Sequence, residues 1–167
     1  MLIIPRILAE LASQVSEDLS QPLGLVYARR AVQSYKHPSE QAVLLEMLDR
    51  ADLLLGDDAD GAAIVELQHD FLVGFHTETE HGSHVKQAMH VALRHCFQRR
   101  IEIHDPKRHR VKFVPSLLGI AKAAQRAVTC QARDQAEWES IRWEEARWQL
   151  VELIGMIEQP VGQVQDQ

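Results

Sequence analysis

Histidine is the side chain through which this sequence could most readily do chemistry. Eight of its nine histidines, His69, His76, His81, His84, His90, His95, His104 and His109, fall between residues 69 and 109, and His37 stands apart. Imidazole is the commonest metal ligand and titrates near neutral pH. Carboxylates are interleaved with these rings. Glu66 stands three residues before His69, Glu78 stands three before His81, and His76, Glu80 and His84 follow one another at steps of four. Residues three or four apart share a face of a helix. That spacing makes His69, His76, Glu80 and His84 the candidate ligands of a divalent metal ion.

The Glu-x-x-His spacing is similar to that of di-iron helical bundles. In those bundles the two copies come from different helices, and each faces a further carboxylate. Here the copies are twelve residues apart, and Gly82 is expected to end their segment. A plainer alternative stands beside the metal. Glu66, His69, Asp70, His76 and Thr77 fall opposite Ile64, Phe71 and Phe75, as the wetted face of an amphipathic helix does. On that reading the chain holds no cofactor.

A second cluster is cationic. Arg99, Arg100, Lys107, Arg108, Arg110 and Lys112 lie within fourteen residues, with only Glu102 and Asp105 against them. Such cations would neutralise phosphates and make binding salt-dependent. A helix followed by a basic hairpin resembles, in geometry only, the recognition helix and wing of winged-helix DNA binders. Against nucleic acid, the preceding helix offers few side chains for base edges. The formal net charge of −6 also disfavours a general nucleic-acid or anionic-membrane binder. An acidic protein surface, or acidic helices of the same fold, would serve the cations equally.

The third cluster is aromatic. Trp138, Trp143 and Trp148 stand five residues apart, so they rotate around a helix instead of sharing one stripe. Trp143, Ala146, Leu150, Leu153 and Ile157 form the expected core face, leaving Trp138 and Trp148 off its centre. Tryptophan is enriched at binding hot spots. The three rings are therefore the candidate partner-binding residues.

Signs of nucleophilic catalysis are missing. No G-x-S-x-G or H-E-x-x-H pattern occurs. Cys96 follows His95, but helix neighbours point about 100° apart and cannot pair as nucleophile and base. The stretch Gly56 to Gly61 begins like a phosphate loop, yet Ala62 and Ala63 stand where a lysine and a hydroxyl are required. Its acidic turn is expected to cap a helix.

The elements that must position these clusters read as helices. Of 167 residues, 46% are hydrophobic and 25% charged, which is ordinary globular composition. Apolar residues recur at helical spacing over 5–19, 22–35, 38–55, 61–76, 84–100 and 116–158. Asp60 and Ser83 are the expected N-caps of two of these segments. An unbroken helix from 116 to 158 would be roughly 64 Å long. A domain of this size is only about 40 Å across. The helix therefore either breaks, most readily at the polar stretch 131–135, or projects from the domain, which would favour a dimer. Between 101 and 114 the period shifts from 3.6 to 2, which predicts one short β-hairpin around Asp105-Pro106.

The sequence thus predicts an all-α fold: a bundle of six to seven helices with one hairpin. Residues 1–158 form a single domain, and 159–167 form a flexible polar tail. No signal peptide or membrane-spanning run is expected. Two isolated cysteines suit a reducing cytoplasm. The leading functional expectation is a non-catalytic interaction module, that is, an adaptor, a regulator or a small subunit, with a protein partner or a second copy. The alternatives are a nucleic-acid-binding regulator using 99–112 and a metal-binding bundle using 66–84.

Overall fold

In the computed structural model, the residues described are 3–56, 58–77, 79–104 and 114–159. They form seven α-helices: α1 (Ile3–Ala12), α2 (Glu17–Gln33), α3 (Pro38–Leu53), α4 (Gly61–Gly74), α5 (Glu80–His104), α6 (Leu117–Thr129) and α7 (Gln135–Glu158). Local chemistry explains most of the boundaries. Asp60 accepts a hydrogen bond from the Ala62 amide at 2.9 Å and starts α4, as expected. Pro38 occupies the first turn of α3, where its missing N–H costs nothing. The long C-terminal stretch does break. Ser116 caps α6, and Asp134 accepts from the Glu137 amide at 2.8 Å to start α7.

Three boundaries differ from expectation. The first helix stops at Ala12, because Ser16 is extended and α2 begins at Glu17. Glu17 and Asp18 suit the positive N-terminal end of a helix, and this outweighs the bond that Pro22 forfeits inside α2. Helix α5 starts at Glu80, not after Ser83. Thr79 Oγ1 accepts the Gly82 amide at 3.0 Å, so Gly82 lies in the first turn instead of ending a segment. Only glycine fits there: a Cβ would fall 1.9 Å from Thr77 Oγ1.

The third difference concerns the hairpin. Ile101–His104, its expected first strand, continues α5. Ile101 follows Leu93 and Phe97 at helical steps and is buried with them, while Ile103 is exposed. Four alternating residues are too few to separate a strand from the end of an amphipathic helix. The intended turn and most of the second strand, 105–113, fall outside the described residues. Val114 belongs to no strand, and the described residues contain none. Residues 160–167 of the expected tail also lie outside the described set.

Helices α2, α5 and α6 pack on one another and form the centre. Helices α3 and α4 cover one side, through α2 and α5. Helices α1 and α7 cover the other, through α6 and α2. Helices α2 and α6 pack together and both bury small residues: Gly24, Ala28 and Ala31 on α2, and Ala121, Ala124 and Ala127 on α6. Such surfaces let two helix backbones approach closely. Tyr27, Leu44, Ile64, Leu67, Phe71, Met89 and Leu93 fill the wider gaps. No helix among the described residues is long and apolar enough to cross a membrane.

Candidate functional sites

The inward face of α7 is polar, and this sets the orientation of the tryptophans. Glu145, Ala146, Gln149 and Leu153 are its buried residues. Gln149 Nε2 donates to the Ala121 carbonyl at 3.1 Å, and Gln125 Nε2 donates to Gln149 Oε1 at 2.9 Å. The Tyr27 hydroxyl donates to the Gln149 carbonyl at 2.5 Å. Arg30 Nε reaches Glu145 Oε2 at 3.1 Å. Buried polar groups are tolerated where partnered, and here the partners come from α2 and α6. Burial pushes the Glu145 carboxyl above its ordinary range, and the contacts from Arg30 and Gln149 partly offset it.

This network rotates α7 away from the expected core face. Ala146 and Leu153 are buried and Leu150 is half-buried, but Trp143 and Ile157 are exposed. Trp148 turns inward instead. Its ring lies 6.0 Å from Tyr27 and 4.9 Å from the Arg30 guanidinium. The three tryptophans therefore do not act together. Trp148 belongs to the flank of the core. Trp138 is half-buried with Arg142 over it at 5.2 Å, and Trp143 faces outward with Arg147 over it at 5.6 Å. The outer side of α7 then carries Trp143, Val151, Ile154 and Ile157, all exposed. The steps of eight, three and three put them along one stripe.

The histidines divide into two groups. His69 lies on the outer face of α4 beside Asp70, and His76 is exposed. Neither belongs to the one described cluster of metal-ligating side chains, which unites Glu80, His84 and Cys130 within 4.8 Å of one another. Glu80 and His84 were expected to meet, and they do so at 3.7 Å. Cys130 was missed because no local pattern links it to them. Only the packing of α6 on α5 brings it there.

Three further histidines, His81, His90 and His95, are held by contacts within the fold, while His37 is exposed. His95 Nε2 meets the Ser20 hydroxyl at 2.9 Å, and its ring also bonds to the Pro115 carbonyl. His81 contacts Ser34 Oγ at 3.2 Å and Gln131 Nε2 at 3.0 Å. His90 stacks on Phe71 at 6.4 Å. Burial is the main force holding all three rings below the ordinary imidazole range.

Of the basic cluster, Arg99 is exposed, and Arg100 Nη1 donates to the Ala59 carbonyl at 3.0 Å. Lys107, Arg108, Arg110 and Lys112 lie outside the described residues. A cavity of about 590 Å³ adjoins Arg99 and Arg100 between the start of α2, the C-terminal part of α5 and the turn after α3. Its charged lining is mixed: Glu17, Asp18 and Glu102 face Arg94, Arg99 and Arg100. Arg94 is buried, and its Nε and Nη1 have no hydrogen-bond partner among the described residues. Burial pushes the Cys96 thiol far above the ordinary range, which disfavours the thiolate.

No protein-family model, curated protein or solved structure matches this chain.

Proposed function

We propose that this chain is a non-catalytic helical interaction module, a regulator or small subunit that works by pairing through the outer face of α7. The observation that carries the reading is the stripe of Trp143, Val151, Ile154 and Ile157. These are four exposed apolar side chains on a helix whose inward face carries the buried polar residues Glu145 and Gln149 beside Ala146 and Leu153. Contiguous exposed apolar surface marks interaction sites. The charges around the stripe favour a second copy as the partner. Arg142 and Arg147 lie in its first half with the exposed Glu144, whereas the second half carries Glu152 and Glu158 and no base. Two α7 helices crossing antiparallel, in a register centred on Leu150, would set Trp143 against the second copy's Ile157. The same register sets Arg142 against the second copy's Glu158. A two-fold interface of this kind is self-complementary. A reducing cytoplasm would keep Cys96 and Cys130 as the free thiols they are here.

Light scattering across a concentration series tests the proposal. The expected result is a dimer that Ile154→Glu converts to a monomer with an unchanged far-ultraviolet spectrum. Raised salt should weaken the wild-type dimer, since the end contacts are exposed ion pairs. A wild-type chain that stays monomeric throughout, or an Ile154→Glu chain that still dimerises as tightly, would overturn it.

A further inference from the structure

Glu80 and His84 lie one turn apart on α5, and Cys130 is the C-cap residue of α6. Their ligating atoms all fall within 4.8 Å of one another, and Glu80 Oε1 and His84 Nε2 are already 3.7 Å apart. Around zinc, bonds of about 2.0 Å to nitrogen or oxygen and about 2.3 Å to sulfur place tetrahedral ligands roughly 3.3–3.6 Å from one another. Bringing the three atoms to those separations takes movements of about 1 Å. The Glu80 side chain is exposed and free to supply them, and His84 is only half-buried.

We propose that Glu80, His84 and Cys130 form a zinc site. Three features select the ion. A thiolate, an imidazole and a carboxylate suit zinc, whereas magnesium and calcium take oxygen ligands. On binding, the Cys130 thiol gives its proton to solvent, and the resulting thiolate with the Glu80 carboxylate matches a divalent charge. Cys130 caps the C-terminal, negative end of the α6 dipole, which further favours a cation there. Water fills the fourth position. His81, next in sequence to Glu80, is not a ligand, because both its ring nitrogens are engaged by Ser34 and Gln131. The ion would join the start of α5 to the end of α6, two helices of the central trio. This site is independent of the α7 stripe, so either proposal can fail without the other.

The test uses the full chain, purified without an affinity tag and fully reduced, with cobalt(II) as the spectroscopic probe and zinc in competition with a chromophoric chelator. The expected result is one equivalent of cobalt with a thiolate-to-cobalt charge-transfer band. Cys130→Ser should abolish the band. Loss of an outer-shell partner alone costs about 10–100-fold in metal affinity, so loss of a ligand in Cys130→Ser or His84→Ala should weaken zinc binding at least about 100-fold. A variant carrying both His69→Ala and His76→Ala should bind as the wild type does. If a variant loses its helical spectrum, Glu80→Gln, altered only at an exposed side chain, supplies the same comparison. Cobalt binding without a thiolate band, zinc affinity unchanged in Cys130→Ser, or affinity lost in the His69/His76 variant would each overturn the site.

Discussion

Replacing Arg30 by alanine should destabilise the fold, and replacing its partner Glu145 by glutamine should not. Glu145 is almost wholly buried, while the Arg30 side chain is about half exposed, at 47%. A hydrogen bond to a charged group contributes about 1.5–3 kcal/mol. The Arg30 guanidinium also lies 4.9 Å from the Trp148 ring, a cation–π contact that adds about 0.5–1 kcal/mol at exposed sites. Water can replace part of a half-exposed guanidinium, so the lower end of the sum applies, and Arg30→Ala should cost about 2 kcal/mol. For a chain of this size that lowers Tm by about 4–8 °C. Glu145→Gln keeps an oxygen to accept from Arg30, places its amide nitrogen where Glu145 Oε1 accepted from Gln149, and removes a charge that burial disfavours. It should stay within about 1 kcal/mol of wild type. In that background Arg30→Ala should cost less than about 1 kcal/mol. The sign with pH follows. Because burial raises the Glu145 carboxyl, the folded state holds this proton more tightly than the unfolded chain. Its contribution is full below the ordinary carboxylate range and is lost as pH rises through the raised titration. Glu145→Gln should remove that slope. Urea unfolding followed by circular dichroism from pH 4 to pH 8 reads all four chains. Equal costs of Arg30→Ala in both backgrounds would refute the coupling.

Three other predictions follow from the same structure. His90 and His95 are held below the ordinary value of 6.5 chiefly by burial; Arg94 and Lys86 deepen the shift at His90, while the Pro115 carbonyl and Glu17 oppose it at His95. The folded state therefore binds fewer protons, and stability should fall as pH drops below about 6.5. His95→Gln should flatten this slope in thermal melts, and an unchanged slope would contradict it. Gly82→Ala should lower stability by about 1–3 kcal/mol, because its methyl meets Thr77 and displaces Thr79 from its capping contact. A raised Tm would contradict this. Tyr27→Phe should cost about 1 kcal/mol or more by leaving the Gln149 carbonyl short of a donor, as read by urea midpoints.

The helical reading was carried by apolar residues at turn spacing. Ile64, Leu67 and Phe71 on α4, Phe75 just after its end, and Val85, Ala88, Met89 and Ala92 on α5, are buried where that spacing put them. Chain length left two choices for residues 116–158, a break or a projecting helix, and the polar stretch 131–135 pointed to the break that the structure has. What failed depended on partners distant in sequence. Hydrophobic pattern points Trp143 and Ile157 inward, but Gln149 and Glu145 take that side because Gln125, Ala121, Tyr27 and Arg30 satisfy them. The Ile101–His104 alternation looked like a strand because a helix end with one inward isoleucine shows the same short pattern. Half of the metal cluster was visible as Glu80 and His84. Cys130 was not, because a ligand from another helix leaves no local spacing to find.

The pairing of α7 with a second copy is tested most directly by a distance. A spin label at Ser140→Cys, in a background carrying Cys130→Ser and Cys96→Ser, sits ten residues from Leu150 on the exposed side of α7. In the antiparallel register two such labels are offset by about 30 Å along the helices. Parallel helices would hold them at roughly the interaxial spacing of about 10 Å. Pulsed electron resonance should give a single intermolecular distance near the longer value, lost in Ile154→Glu. A distance near the shorter value, or no intermolecular coupling, would contradict the account.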